Sequence, residues 1–246
     1  MRNLGLARLS VSADGGLSTV VDQFSQTPLQ LHRPLYLEGA SHPTVYIKTP
    51  SSGLLGGDEH KIDVNVASGA QLELRTQAAT LVYPGRSLLQ INLTLADSAQ
   101  LIFLPHPIIL GAESSLSQKV RIKLGKDATL SFADTWCAGR IGMQELWKFT
   151  DYEYQLEIFQ ESKLTYREHW RIVPAEAPLE HPLLCGDYTH FASFYEFGKS
   201  KNLTARKDFT DFKTKSFEIE KRWSLTRNGN DIHRRVYKVD ESCLSL

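Results

Sequence analysis

Apolar and polar residues alternate with a period of two through much of this chain, the mark of strands with one buried face. Over that alternation lies a longer echo. Residues 64–74 read VNVASGAQLEL, 93–103 LTLADSAQLIF, 122–132 IKLGKDATLSF and 156–166 LEIFQESKLTY. Each runs apolar-x-apolar, a short polar turn, Ala or Ser, then x-Leu-x-apolar. Leu72, Leu101 and Leu130 are spaced by 29 residues, and the fourth equivalent, Leu164, follows 34 later. A fixed spacing in this range predicts one supersecondary unit stacked on its own copies. A single hairpin cannot bury its apolar face, whereas successive hairpins share a core. The expected fold is predominantly all-β: stacked β-hairpins or β-helix-like sheets, with one or two short helices. A sandwich meander is the alternative, and the echo of residue types as well as spacing favours stacking.

Both ends fit this picture. LSVSADGGLSTVV (9–21) places Asp-Gly-Gly between alternating runs, and SLTRNGNDIHRRVYKV (224–239) carries Asn-Gly, both hairpin signals. GMQELWKF (142–149) is a candidate helix start, although the TDYEYQLEIF after it alternates like a strand. VPAEAPLEHPLL (173–184) is too rich in proline for an element interior and reads as a loop or crossover. No low-complexity linker divides residues 1–246, so a single domain is expected.

Composition narrows the class. Lys and Arg number 28 and Asp and Glu 28, so no global positive field draws a nucleic acid or an anionic membrane. Neither a leader-like apolar run nor a membrane-length one occurs. Three separated cysteines, Cys137, Cys185 and Cys243, with no C-x-x-C, argue for a reducing compartment, and the cytoplasm is expected.

The stretch SSGLLGGDEH (51–60) raises the question of chemistry. It has the glycines of a phosphate loop but no Lys followed by Ser or Thr, and the strand KIDVNV follows it where a helix N-terminus is needed. The densest metal-ligand cluster is HPLLCGDYTH, with His181, Cys185, Asp187 and His190 as weak candidates that match no spacing motif. There is no G-x-S-x-G elbow. Paired acids for glycoside hydrolysis, Asp58 with Glu59 or Asp134 with Glu145, cannot be recognised from spacing. Three polar groups interrupt buried patterns: GGDEH; LRTQAATLVYPG (74–85); and ADTWCAGRIGMQELW (133–147). Buried polar side chains must find partners, so each group forms either a register-fixing network or a polar passage.

Taken in order, these segments resemble the UreD family of urease accessory proteins, called UreH in some organisms. The resemblance rests on Gly56, Gly57 and Asp58; on Thr76, Gln77, Ala78, Ala79, Thr80, Val82 and Tyr83; on Leu104, Pro105, Pro107 and Ile109; and on Gly139, Arg140, Glu145 and Trp147. LQLHRPLYLEG near residue 35 is similar to the family's lead-in. It implies a non-enzymatic nickel-urease maturation factor. Its implied partners are a UreF-like accessory protein, through that protein a UreG-like GTPase, and apo-urease, with neither nucleic acid nor membrane. Nickel would pass transiently along a polar route, with no tightly bound cofactor. A moving cation needs weak oxygen sites, because a tight cage would trap it. Asp58, Glu59, Thr76, Gln77, Tyr83, Asp134, Arg140 and Glu145 become the candidate lining of that route, and Gly56, Gly57 and Gly139 its turn formers. Two departures stand out: Leu81 occupies a position where the family often has Lys, and the family's Trp-containing C-terminal helical segment reads as shortened at SCLSL. A carbohydrate-active β-solenoid or sandwich hydrolase, or a β-rich adaptor without a metal role, are the competing readings.

Overall fold

The alternating runs fold into strands that wind as flattened coils. The structure is a computed structural model and describes residues 3–37, 39, 41–51 and 53–198, together with the backbone of strands at 216–218, 223–227 and 230–239. An N-terminal hairpin, β1 (Leu4–Asp14) and β2 (Leu17–Gln26), leads through β3 (Gln30–Leu31) and β4 (Thr44–Lys48) into three similar coils. The first coil is β5 (Gly53–Leu54), β6 (Glu59–Val66) and β7 (Gln71–Thr76). The second is β8 (Thr80–Val82), β9 (Gly85–Leu95) and β10 (Gln100–Leu104). The third is β11 (Ile108–Leu110), β12 (Ser114–Leu124) and β13 (Thr129–Cys137). A second hairpin, β14 (Asp151–Gln160) and β15 (Lys163–Ile172), and then β16 (His190–Phe197), β17 (Ser216–Glu218), β18 (Trp223–Arg227) and β19 (Asn230–Val239), complete the described elements.

The sequence echo is this winding, with one refinement. The two arms of each repeated unit do not pair with each other. β6, β9 and β12 lie side by side in one sheet, β7, β10 and β13 in the other, and all these pairings are parallel. The units are therefore arches that cross between two sheets, not hairpins. Each unit's hydrogen bonds go to its copies, so equivalent leucines meet: Leu101 is in register with both Leu72 and Leu130. The arch corners place Gly69, Ser98 and Asp127 in the left-handed region. Only the first is glycine, so the two later corners bear a strain that corner hydrogen bonds such as Lys126 N–H to Asp97 Oδ1 help to hold. The fourth echo is a true hairpin: β14 and β15 pair antiparallel, and Leu164 lies opposite Phe159 instead of on the ladder, which is why its spacing breaks.

Among the described residues, the first sheet runs β15-β14-β12-β9-β6-β1-β2, with its parallel centre closed at each edge by an antiparallel strand. The second continues from the coils into β16, β19 and β17. The C-terminal β18–β19 pair is antiparallel, as its Asn-Gly signal predicts. The facing sheets bury one apolar core that includes Leu72, Leu74, Leu93, Leu101, Ile122, Leu130 and Ile158. A parallel sheet is ordinarily covered on both faces. Here the outer face of the first sheet is polar, its cross-strand neighbours joined by Asn92 to Asp63 at 2.7 Å and Arg121 to Glu157 at 2.7 Å.

The candidate helix at 142–149 contracts to one 3₁₀ turn, Ile141–Met143, because Gln144 and Trp147 adopt positive φ and no helix propagates through them. A second 3₁₀ turn, Pro174–Glu176, sits in the proline-rich segment. Among the described residues no helix is long and apolar enough to cross a membrane. The C-terminal SCLSL and Cys243 lie outside the described residues.

Candidate functional site

Period two in register puts the same face of every coil inward, so a polar residue at an inward position is buried whatever its chemistry. His60, Leu89, Gln118 and Tyr154 form one such inward row, each in register with the next across the first sheet. His60 and Gln118 are 1% and 2% exposed. The second sheet contributes Thr76 and Asp134, at equivalent points of coils one and three. Between the sheets His60, Leu89, Gln118, Thr76 and Asp134 line a cavity of about 50 Å³ that also meets Thr80, His106 and Thr135. That volume is enough for more than one water.

The hydrogen bonds across this interior form a partial network. Gln118 Nε2 donates to Asp134 Oδ1 at 2.8 Å, and the Tyr152 hydroxyl donates to Gln118 Oε1 at 2.6 Å. The Thr76 hydroxyl accepts the His106 backbone N–H at 2.7 Å. His60 Nε2, Thr135 Oγ1 and the Tyr154 hydroxyl are buried and find no hydrogen-bond partner among the described residues. Native interiors seldom leave such atoms unsatisfied, so each calls for a partner such as water or an ion. Trp136, stacked on Phe191 with centroids 4.3 Å apart and edge-on to Tyr152, closes the adjoining interior with aromatic surface.

Asp58, two residues before His60, lines an open groove with Asn3, Leu4, Pro28 and Leu55. It is buried, accepting the Leu55 backbone N–H at 2.9 Å and Asn3 Nδ2 at 3.1 Å, so it caps the Gly56-Gly57 turn. Gly57 has φ +96°, and a side chain at Gly56 would lie 2.4 Å from the Pro84 carbonyl oxygen, which fixes glycine at both turn positions. Glu59 opens β6 partly buried, Gln77 is exposed, and Tyr83 is half-buried with its N–H on Leu54.

The third polar segment forms a separate clasp. Arg140 grips Glu145 through Nε and Nη2, one to each carboxylate oxygen, and Glu145 Oε2 also accepts the Ala112 N–H at 3.2 Å. The hydrogen bonds from Arg140 hold the Glu145 carboxyl below its ordinary pKa. Gly139 permits the clasp, with φ +153° and a virtual Cβ 2.2 Å from the Glu145 carbonyl oxygen.

His181 and Asp187 are exposed, Cys185 is half-buried and His190 is buried beside Thr189. No group of three or more His, Cys, Asp or Glu side chains among the described residues is placed to hold a metal ion, so these four do not converge. The residues that sequence reasoning missed are His60, His106, Gln118, Thr135, Tyr152 and Tyr154. A signal for two of them was present: His60 and Gln118 occupy apolar slots of their alternations, two echo lengths apart.

Burial holds the His60 imidazole below its ordinary pKa, with the Asp58 carboxylate partly offsetting it; burial and then the Arg75 guanidinium lower His106. In the unfolded chain each takes up its proton near 6.5, and in the fold only at lower pH. Below 6.5 the unfolded state therefore binds more protons, and stability falls as pH drops from there toward the folded values. The urea midpoint is expected to decrease between about pH 7.5 and 5.5, and less steeply in a His60→Gln, His106→Gln double variant. Equal slopes would refute this origin.

Comparison with known proteins gives this interior its context. A family model described as UreD urease accessory protein matches residues 4–239. The chain is 34% identical over 207 residues to urease accessory protein UreD 2 of Synechococcus sp. (strain JA-3-3Ab), covering 79% of this chain and 74% of that one. It is 37% identical over 148 residues to a UreD of Synechococcus sp. (strain JA-2-3B'a(2-13)), with 60% of this chain and 53% of the relative, about half its length, covered. It is 26% identical over 185 residues to urease accessory protein UreH of Helicobacter hepaticus, covering 74% and 73%. The chain belongs to the UreD family of urease accessory proteins.

Proposed function

We propose that the chain is a non-catalytic maturation scaffold that binds a UreF-like protein, through it a UreG-like GTPase, and apo-urease, and that helps carry nickel to the urease active site. The observation that supports the route is the row of buried polar groups at coil-equivalent positions, lining a cavity with partnerless polar atoms and approaching the Asp58 groove. Carbonyl, hydroxyl, amide and single carboxylate oxygens are weak ligands for a borderline cation. Spread along an interior, they let it move on where a closed cage would hold it. The Arg140–Glu145 clasp, with both carboxylate oxygens already engaged, acts in this reading as the brace of the segment beside the route.

The test is expression of the urease subunits and the other accessory proteins with and without this chain. Urease nickel content and activity are expected to drop to background without it, and full activity in its absence would overturn the proposal. Asp58→Ala is expected to reduce nickel content while a pull-down still recovers the UreF-like partner. Loss of the partner as well would make Asp58 part of the fold or the interface.

A further inference from the structure

We propose that His60 is the specificity-determining residue of the interior cavity: its Nε2 is the nitrogen donor of a weak, transient site that takes a borderline divalent cation such as Ni²⁺ in preference to Mg²⁺. The inference rests on the nickel-carrying reading above and deepens it.

Two observations converge on His60, and a third concerns the cavity it lines. It is 1% exposed and lines the cavity, so its ring is committed to the interior. Its Nε2 finds no hydrogen-bond partner among the described residues, although a buried ring nitrogen without one is costly. Thr135, which also lines the cavity, has a hydroxyl that finds no partner among the described residues. The remaining polar lining is Thr49, Thr76, Thr80, Asp134, Gln118 and a second imidazole, His106.

The chemistry of this donor set discriminates. Imidazole nitrogen suits Ni²⁺, Zn²⁺ and Cu²⁺, while Mg²⁺ takes oxygen ligands. An all-oxygen interior would have no such bias. No three strong ligands gather here, which keeps binding weak enough for release.

The test uses the purified full-length chain in equilibrium dialysis against Ni²⁺, with and without millimolar Mg²⁺. Co²⁺ absorption spectra serve as a second readout of nitrogen ligation. The wild type is expected to retain Ni²⁺ in the presence of excess Mg²⁺. His60→Leu, whose side chain matches its neighbour Leu89 in the same row, is expected to lose at least about tenfold in Ni²⁺ affinity, the low end for losing even an outer-shell partner. His60→Gln keeps an oxygen donor and should favour Ni²⁺ over Mg²⁺ less than the wild type does, with His106 as the one imidazole left in the lining. His181→Ala, an exposed histidine off the cavity, should behave as wild type. Circular dichroism checks that each variant is folded; if His60→Leu is not, His60→Gln decides alone. Wild-type Ni²⁺ affinity and selectivity in the His60 variants would overturn the inference, as would equal retention of Ni²⁺ and Mg²⁺ by the wild type. A chain that urease needs but whose His60 variants still select Ni²⁺ refutes only this inference. Urease that matures fully without the chain refutes the functional reading instead.

Discussion

Urease matured alongside a Thr135→Leu variant is expected to contain no more nickel than urease matured without the chain, although the variant still folds and still pulls down its UreF-like partner. Thr135, on β13, is among the residues that line the cavity, and its hydroxyl finds no hydrogen-bond partner among the described residues. Exchanging that hydroxyl for hydrocarbon removes an unsatisfied group, which is close to neutral or stabilising. The added bulk enters a cavity of about 50 Å³, so overpacking is small beside the usual 1–3 kcal/mol for a filled core. Thr135→Val is the control for shape: it deletes the hydroxyl without filling the space and should leave most of the nickel transfer intact. Normal nickel content with Thr135→Leu would mean that cargo does not use this interior, whatever the chain does for urease.

Gly139→Ala is expected to lower the thermal midpoint by roughly 10 °C, from about 3 kcal/mol of strain and overlap. A methyl group there would stand 2.2 Å from the Glu145 carbonyl oxygen and 2.7 Å from its carbon. Both are backbone atoms and cannot swing aside as the end of a side chain would. The residue also needs φ +153°, a conformation that alanine resists. The Arg140–Glu145 clasp, with its tie to the Ala112 N–H, would have to reopen to relieve the overlap. Gly142, three residues on, has nothing within 4 Å of its virtual Cβ, so Gly142→Ala should melt close to wild type. Similar midpoints for the two variants, read by circular dichroism, would show that the clasp tolerates displacement.

The coil architecture was legible in the sequence because its period is written twice, in the alternation and in the 29-residue echo. Whether each unit folds back on itself or crosses to a facing sheet was not legible. Both choices use the same alternation and the same polar corner, and they differ only in which strand receives the hydrogen bonds. Leu164 shows this, since its segment matches the pattern yet forms a hairpin. For the site, the polar segments that interrupt the buried patterns singled out Asp58, Thr76 and Asp134, which line the groove or the cavity. They also singled out Gln77, which is exposed. His60 and Gln118 are absent from every motif, and only their inward place in the coils gives them meaning. Tyr152 and Tyr154 were hidden for another reason: aromatic residues at inward positions look like ordinary core until the hydroxyls are placed.

The antiparallel strands that close both edges of the first sheet have a consequence for dimensions. Coils that pair parallel with their copies supply no reason to stop, but β2 and β15 reverse direction, and no further coil in the same register can be added at either side. The number of turns, and with it the span from His60 to Tyr154, is thereby fixed in whole strand spacings, three of them at about 4.8 Å each. The molecule works as a ruler. Lengthening its interior would take insertion of an entire 29-residue turn between the two reversing strands, because a shorter insertion would push the inward row out of line.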